Sequence, residues 1–336
     1  MTFVKISIFS LLTSLLLASC NFDSFDQVVD VDIPEHVRQL AITSQINATA
    51  SNMVVFVTSS RGINDNSSFN FTDSRIDTIF YDPLDSTNYY ISDFGTYQYD
   101  TIPGAVVKLL RDGNDYINFE KTYGGFYAAR NITPLVNEGD GHTYTLKVEA
   151  PNFKTCISQQ TIPSKAEIEE LTYDENAIIN ENGTPLDKIT LKLKDLSLEK
   201  NHYEITATLH VLQNTGSYTI NDIPLDSNDP TVSFYNIPSE YGYYTNQMIL
   251  NDASWNGRSY SLICFPLNPV YKSPGNFIEI KIKSINNDAY FYNLALSNNY
   301  NSGDNPFQEP TIVKGNFDNG FGIFNIFNAS YANYYF

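Results

Sequence analysis

Basic residues are scarce in this chain: 20 Lys and Arg stand against 38 Asp and Glu, for a formal net charge of -18. Long-range repulsion from phosphate then argues against a nucleic-acid partner. The acidic residues are dispersed among Asn, Ser, Thr and Tyr and form no long acidic tail, which is the pattern of a solvated, secreted surface. Cysteine is nearly absent too, with three in 336 residues. None has the paired spacing or the neighbouring histidine that zinc binding or dithiol redox chemistry requires. The four histidines, His36, His142, His202 and His210, are isolated from one another. His202 and His210 would share a face of one continuous strand but lie roughly 26 Å apart, too far to hold one metal ion. No cofactor and no metal are therefore expected. Long apolar runs are missing except for residues 6–18, which are too short to span a bilayer.

That one run is informative because of its flanks. Lys5 precedes it and Leu17-Ala18-Ser19-Cys20 closes it. The arrangement resembles a bacterial lipobox, in which a signal peptidase cuts before the cysteine and the cysteine is acylated. Residues 1–19 then read as a lipoprotein signal peptide, Cys20 as the lipidation site, and residues 20–33 as a lipidated N-terminus and tether. Several acyl chains bury enough methylenes for stable anchoring where one would be marginal. The competing reading is an ordinary secretory leader with a chance cysteine; the small residues at 18 and 19 after a leucine favour the lipobox. With Cys20 committed to lipid, Cys156 and Cys264 either form one bridge in an oxidising compartment or remain two buried thiols, and their separation does not decide between them.

Aromatic residues are abundant, with 24 Tyr and 22 Phe. Alternating aromatics suit half-buried strands, where a ring packs on one side and a phenol reaches water; carbohydrate stacking is the other use. Residues 53–58 read as a buried central strand. Residues 59–100 read as a long excursion with short strands embedded in it, because structureless loops of that length are uncommon in compact domains. Ile102-Pro103-Gly104 opens a strand and Asp112-Gly113-Asn114 turns it back as a hairpin. From Thr143 the side chains alternate, with Tyr144, Leu146 and Val148 on one face and Thr145, Lys147 and Glu149 on the other.

Thr161-Ile162-Pro163-Ser164 marks an exit from the first module. Residues 166–173 are compatible with a helix or a first strand. Alternation then returns at residues 189–195 and 202–211, the latter placing Tyr203, Ile205, Ala207, Leu209 and Val211 on one face. Residues 260–265 and 277–285 supply further strands, residues 289–297 suit a strand or a short helix, and the apolar segment 320–327 belongs against a sheet. The fold class is all-β: an N-terminal immunoglobulin-like β-sandwich over residues 34–163, followed by a second β-rich domain over residues 164–336 with an aromatic C-terminal segment.

Several local motifs follow one another along the chain. They are Ile102-Pro103-Gly104-Ala105-Val106-Val107 with its turn, residues 141–151, Thr161-Ile162-Pro163, residues 251–260 around Trp255, and Asn305-Pro306-Phe307-Gln308-Glu309-Pro310 followed by Asn319-Gly320-Phe321-Gly322-Ile323-Phe324. In order and spacing the chain resembles the Bacteroidetes lipoprotein family catalogued as domain of unknown function 4249. The closing pair of motifs is the most specific, and Asn251 departs from the bulky residue expected before Asp252. The resemblance implies a protein anchored by lipid to the outer membrane, in envelope systems that include TonB-dependent transporters. It supplies no catalytic positions.

No cluster of acid, base, nucleophile or metal ligands specifies a reaction, so the expectation is a protein that is not an enzyme. The loops at residues 112–115 and 301–305 carry oxygen ligands but lack the full calcium-loop pattern, and read as plain turns. Trp255, the only tryptophan, sits beside Asn256-Gly257 as a candidate ligand contact in a loop or as a core anchor next to a turn. The function expected is an accessory or binding lipoprotein of the outer membrane, with a TonB-dependent transporter as candidate partner. A purely structural envelope lipoprotein is the alternative, and a secreted-type hydrolase comes third.

Overall fold

The computed structural model describes residues 35–336 except 63–64, 66, 74–78, 82–88, 92–96, 136–140, 180–182, 196–199, 239–243 and 303–311. The expected signal peptide, Cys20 and tether lie outside the described residues, as does most of the 301–305 loop. Residues 38–336 form one compact unit.

The N-terminal half contains β1 (Leu40–Asn47), β2 (Met53–Ser59), β3 (Phe71–Asp73), β4 (Ile79–Tyr81), β5 (Tyr89–Ile91), β6 (Tyr97–Tyr99), β7 (Val106–Arg111), β8 (Asn114–Lys121), β9 (Phe126–Ala129), β10 (Tyr144–Glu149) and β11 (Cys156–Gln160). The turn between β7 and β8 shows why the hairpin forms there. Asp112 and Gly113 have φ of 50° and 81°, the pair of left-handed residues whose twist matches that of the flanking strands. In β10, Tyr144, Leu146 and Val148 are fully buried and Lys147 and Glu149 are partly exposed, as the alternation predicts, while Thr145, on the second face, is buried as well. The 59–100 excursion is a nested arm, with β3 paired to β6 and β4 to β5. Its base is gripped by buried Asp100, which accepts from Arg61 Nε at 2.8 Å and Nη2 at 3.0 Å.

The C-terminal half contains β12 (Glu167–Ile179), β13 (Pro185–Lys194), β14 (His202–Leu212), β15 (Tyr218–Asp222), β16 (Leu225–Asp226), β17 (Val232–Pro238), β18 (Tyr244–Asn251), β19 (Ser259–Pro266), β20 (Phe277–Ile285), helix α1 (Asn287–Ser302) and β21 (Gly320–Tyr335). The open choice at residues 289–297 resolves as helix. Ala289 and Tyr290, followed by Asn293 and Ser297 at steps of three or four, form its buried stripe.

The main sheet runs β11-β10-β7-β8-β9-β2-β1-β21-β20-β14-β18-β17, with β15 paired to β14; a four-stranded sheet runs β12-β13-β19-β16. The protein is thus predominantly β. In the half expected to be an immunoglobulin-like sandwich, the two faces of the core belong to one sheet. Strands β10 and β7 contribute Leu146 and Leu109, β1 and β2 contribute Ile42 and Val55, and β8 joins both groups edge to edge. The second core lies between the main sheet and the four-stranded sheet, bringing Tyr203, Ile205 and Ile280 against Leu191 and Leu262.

Ile162 belongs to the first core and Ala166 to the second. Strand β21, however, belongs to both parts. Its first half pairs in parallel with β1 from Leu40↔Gly320 to Asn47↔Phe327, and its second half pairs antiparallel with β20. Phe324 and Ile326 enter the first core, and Tyr334 packs on the second. A boundary read along the chain could not show this, because the closing strand returns to the opening one.

The glycines of the closing motif have a steric reason. Gly322 has φ +103°, and a Cβ there would lie 1.9 Å from the Ile42 carbonyl oxygen. A Cβ on Gly320 would lie 2.7 Å from Cys156 Sγ. Only glycine lets β21 approach β1 this closely.

Candidate functional site

Strand β14 is buried on both sides. Tyr203, Ile205, Ala207 and Leu209 face the second core, while His202, Glu204, Thr208 and His210 point to the outer face of the main sheet. Register places Glu204 beside Lys283 and His210 beside Phe277, and Phe277 in turn beside Tyr335. The outer face therefore has two regions.

The first packs against α1. Tyr235, Ile249, Ile285 and Phe327 meet Ala289 and Tyr290 there. Beneath them Lys283 Nζ donates to Glu204 Oε1 at 2.6 Å, the Tyr235 hydroxyl donates to Glu204 Oε2, and Asn293 Nδ2 donates to Tyr235 Oη at 3.3 Å. Burial, followed by the charge of Glu204, holds the Tyr235 phenol well above its ordinary range. His202 stacks on Tyr290 with ring centroids 4.1 Å apart, and its Nε2 meets Asn287 Oδ1 at 3.0 Å. Burial lowers the His202 pKa and so favours the neutral ring. This region locks the helix to the sheet.

The second region carries aromatic rings across four adjacent strands, β15, β14, β20 and β21. His210 stacks on Phe277 at 4.3 Å with a 14° interplanar angle. Tyr218 meets Phe277 edge-on at 5.2 Å, and Tyr335 meets it at 5.1 Å, tilted by 40°. Phe277 is half-buried, whereas Tyr218 is 43% and Tyr335 65% exposed. Two exposed phenols thus bracket a partly buried ring. Polar groups lie next to them: Glu279 pairs in register with Asn333, His210 Nε2 is 4.0 Å from Glu279 Oε1, and Asn333 Nδ2 donates to Tyr335 Oη at 3.4 Å. Sheet register fixes every one of these positions, and ring-on-ring contact holds the side chains.

Trp255 is not on this face. It is 4% exposed, in the second core, stacked on Tyr203 at 5.5 Å and Tyr260 at 4.9 Å. The reading of Trp255 as a ligand-contacting loop ring is corrected accordingly. The turn that carries it folds inward, with Trp255 N–H donating to Asp252 O and Arg258 N–H donating to Trp255 O, both at 2.8 Å. Below the ring, buried Asp195 accepts from Tyr203 Oη at 2.8 Å, Asn201 Nδ2 at 3.0 Å and Gly257 N–H at 2.7 Å, while Asp252 Oδ2 accepts from Asn201 N–H at 2.9 Å. Burial raises the Asp252 pKa, and the neighbouring Asp195 pushes it in the same direction. The motif around Trp255 builds a polar corner.

Cys156 and Cys264 are buried free thiols in different cores. The bridge left open by the sequence is not formed. Burial raises Cys156 to about 11 and Cys264 to about 12, so both stay protonated at neutral pH. In the 112–115 turn, Asp112 Oδ1 accepts from Thr143 N–H at 3.0 Å and Asp112 Oδ2 meets His142 Nδ1 at 2.5 Å, while Asp115 pairs with Lys108 at 2.5 Å. Those carboxylates fasten the hairpin. Among the described residues no three His, Cys, Asp or Glu side chains converge to hold a metal, and no helix is long and apolar enough to cross a membrane.

Sequence reasoning missed the aromatic face, although Tyr331, Asn333 and Tyr335 alternate visibly along the chain. The family model described as "Domain of unknown function (DUF4249)" matches residues 26–331. The chain belongs to the DUF4249 family. No curated protein matches this DUF4249 chain. Among solved structures, it is similar to a DUF4785 family protein from Legionella pneumophila subsp. pneumophila str. Philadelphia 1, with 8% identity and a TM-score of 0.22 over 74% of this chain and 52% of that one. It thus spans about half the length of that protein. A "putative carbohydrate binding protein" from Bacteroides uniformis ATCC 8492 is similar at 14% identity and a TM-score of 0.19, over 54% of this chain and 78% of that one. At these scores neither likeness carries weight for fold or function.

Proposed function

We propose that this DUF4249 protein is a non-catalytic accessory lipoprotein, anchored to the outer membrane through acylated Cys20, that binds a solute for an envelope transport system containing a TonB-dependent transporter. The lipobox-like Leu17-Ala18-Ser19-Cys20 and the family membership support the anchor. The observation that carries the binding role is the pair of exposed tyrosines, Tyr218 and Tyr335, placed on either side of Phe277 by the sheet register. A binding surface built on strands holds its contact groups more precisely than one built on loops.

The test is a native pull-down from outer membrane followed by mass spectrometry, with Cys20→Ala as the unanchored control. Capture of a β-barrel transporter by the wild type, and its loss in Cys20→Ala, supports the reading. A partner-free wild-type protein with robust hydrolytic turnover overturns it. A purely structural envelope lipoprotein would share the anchor and the partner and would bind no solute.

A further inference from the structure

We propose that the aromatic face takes a neutral carbohydrate chain, an inference that rests on the binding role above and names its ligand class. The first argument is chemical. A sugar ring presents patches of C–H beside a rim of hydroxyls, so it needs an aromatic face next to hydrogen-bonding groups. Tyr218, Phe277 and Tyr335 supply the faces. Glu279, Asn333 and the phenol of Tyr335, which accepts from Asn333 Nδ2 at 3.4 Å, supply the polar rim.

The second argument is size. A Tyr side chain buries about 150–250 Å² at most. The two bracketing rings, already partly covered at 43% and 65% exposure, fall far short of the ~800 Å² that each partner gives to a stable protein interface. The span fits a slender ligand better. The Tyr218 and Tyr335 ring centroids lie 5.2 Å and 5.1 Å from that of Phe277, so the row of rings extends at most about 10 Å, the reach of a short run of sugar rings. An oligosaccharide laid across the strands would meet Tyr218 at one end and Tyr335 at the other.

The third argument is charge. With a net charge of -18 the protein repels polyanions, which disfavours acidic glycans and nucleic acids. On the face itself, Lys281 lies two residues along β20 from both Glu279 and Lys283, and Asp222 of β15 lies opposite Thr208 of β14, so charges of both signs are interspersed. Nothing there selects a strongly charged ligand. The fourth argument is preorganisation. His210, Phe277, Tyr218 and Tyr335 are already packed on one another, so little side-chain entropy is lost when a ligand arrives.

The test is isothermal titration of the full-length protein in detergent with neutral hexasaccharides of glucose, xylose and mannose in different linkages, alongside the outer-membrane pull-down. Binding of at least one neutral hexasaccharide is expected, with an affinity that changes little between low and high salt. Tyr335→Ala and Tyr218→Ala should each weaken it about tenfold, the scale of one lost aromatic contact. Tyr335→Phe, which keeps the ring and loses one rim hydroxyl, should weaken it less than Tyr335→Ala, and Tyr123→Ala, at an exposed ring in the other half of the chain, should leave it unchanged. Binding that survives the Tyr218→Ala/Tyr335→Ala double variant overturns the site. No neutral sugar binding while the transporter still co-purifies overturns the carbohydrate inference and leaves the accessory role standing; loss of both overturns both. A dimer by sedimentation that dissociates in the double variant would give the face to a second copy and would also refute the inference.

Discussion

Replacing Gly322 by alanine should damage the protein out of proportion to the one methyl group added. Two costs combine at this position. The backbone sits at φ +103°, where an L-residue with a Cβ is strained by about 1–2 kcal/mol. The new Cβ would also lie 1.9 Å from the Ile42 carbonyl oxygen, when real Cβ contacts essentially never fall under 3.0 Å. Relief requires β1 and β21 to part by about an ångström, in the middle of a parallel ladder that runs from Leu40↔Gly320 to Asn47↔Phe327. Two lost ladder bonds at about 1 kcal/mol each bring the total to about 3–4 kcal/mol. That is a large share of the 5–15 kcal/mol that usually separates folded from unfolded chains. The control is Gly113→Ala, at φ +81° with nothing within 4 Å of the added Cβ, which carries the conformational cost alone. Urea unfolding followed by circular dichroism should show Gly322→Ala losing about 2 kcal/mol more than Gly113→Ala. Equal losses would refute the close approach of β21 to β1 and, with it, the reason given for the closing glycines.

Two further predictions concern buried charge. Lys283→Ala removes the partner of Glu204 beneath α1 and should destabilise by about 3–5 kcal/mol, whereas Glu204→Gln/Lys283→Met should cost much less; equal losses in urea unfolding would mean the pair is solvated. Asp252 has its folded pKa raised by burial and by Asp195, so its contribution is full below the ordinary carboxylate pKa and is lost as pH rises through the folded value. Asp252→Asn, which stays neutral and can still accept from Asn201 N–H, should gain thermal stability relative to wild type at pH 7.5 and lose that advantage at pH 3.5. A pH-independent difference in melting temperature would contradict the sign.

Local features were legible in the sequence where a single rule governs them. Asp112-Gly113 announces a tight hairpin because few other residues accept two consecutive left-handed conformations. Tyr144, Leu146 and Val148 announce a buried face because side-chain direction alternates along a regular strand. The excursion after Ser59 announces embedded strands because a bare loop of that length would leave its backbone unpaired, and β3 to β6 are what pairs it. Trp255 was ambiguous, since a turn residue can fold its ring inward or outward and only the positions of Tyr203 and Tyr260 decide. Residues 289–297 were ambiguous because Tyr and Asn favour no element strongly, and packing against Tyr235 and Phe327 chose the helix.

What the sequence could not reveal is long-range pairing. The parallel match of β1 with β21 joins residues at opposite ends of the described chain, and no local pattern encodes a partner at that distance. The aromatic face depends on the same information. Tyr218, His210, Phe277 and Tyr335 come from four strands and become neighbours only through the registers of β15 with β14, β14 with β20 and β20 with β21. The closing motif is specific as a sequence, and the approach of Ile42 that requires a glycine at 322 is visible only in the folded chain.

The most direct test of the account is the intact mass of the mature N-terminus recovered from the outer-membrane fraction. The account predicts a chain that begins at Cys20 and carries acyl groups on it. An exported chain found free in the medium with an unmodified amino terminus would contradict it.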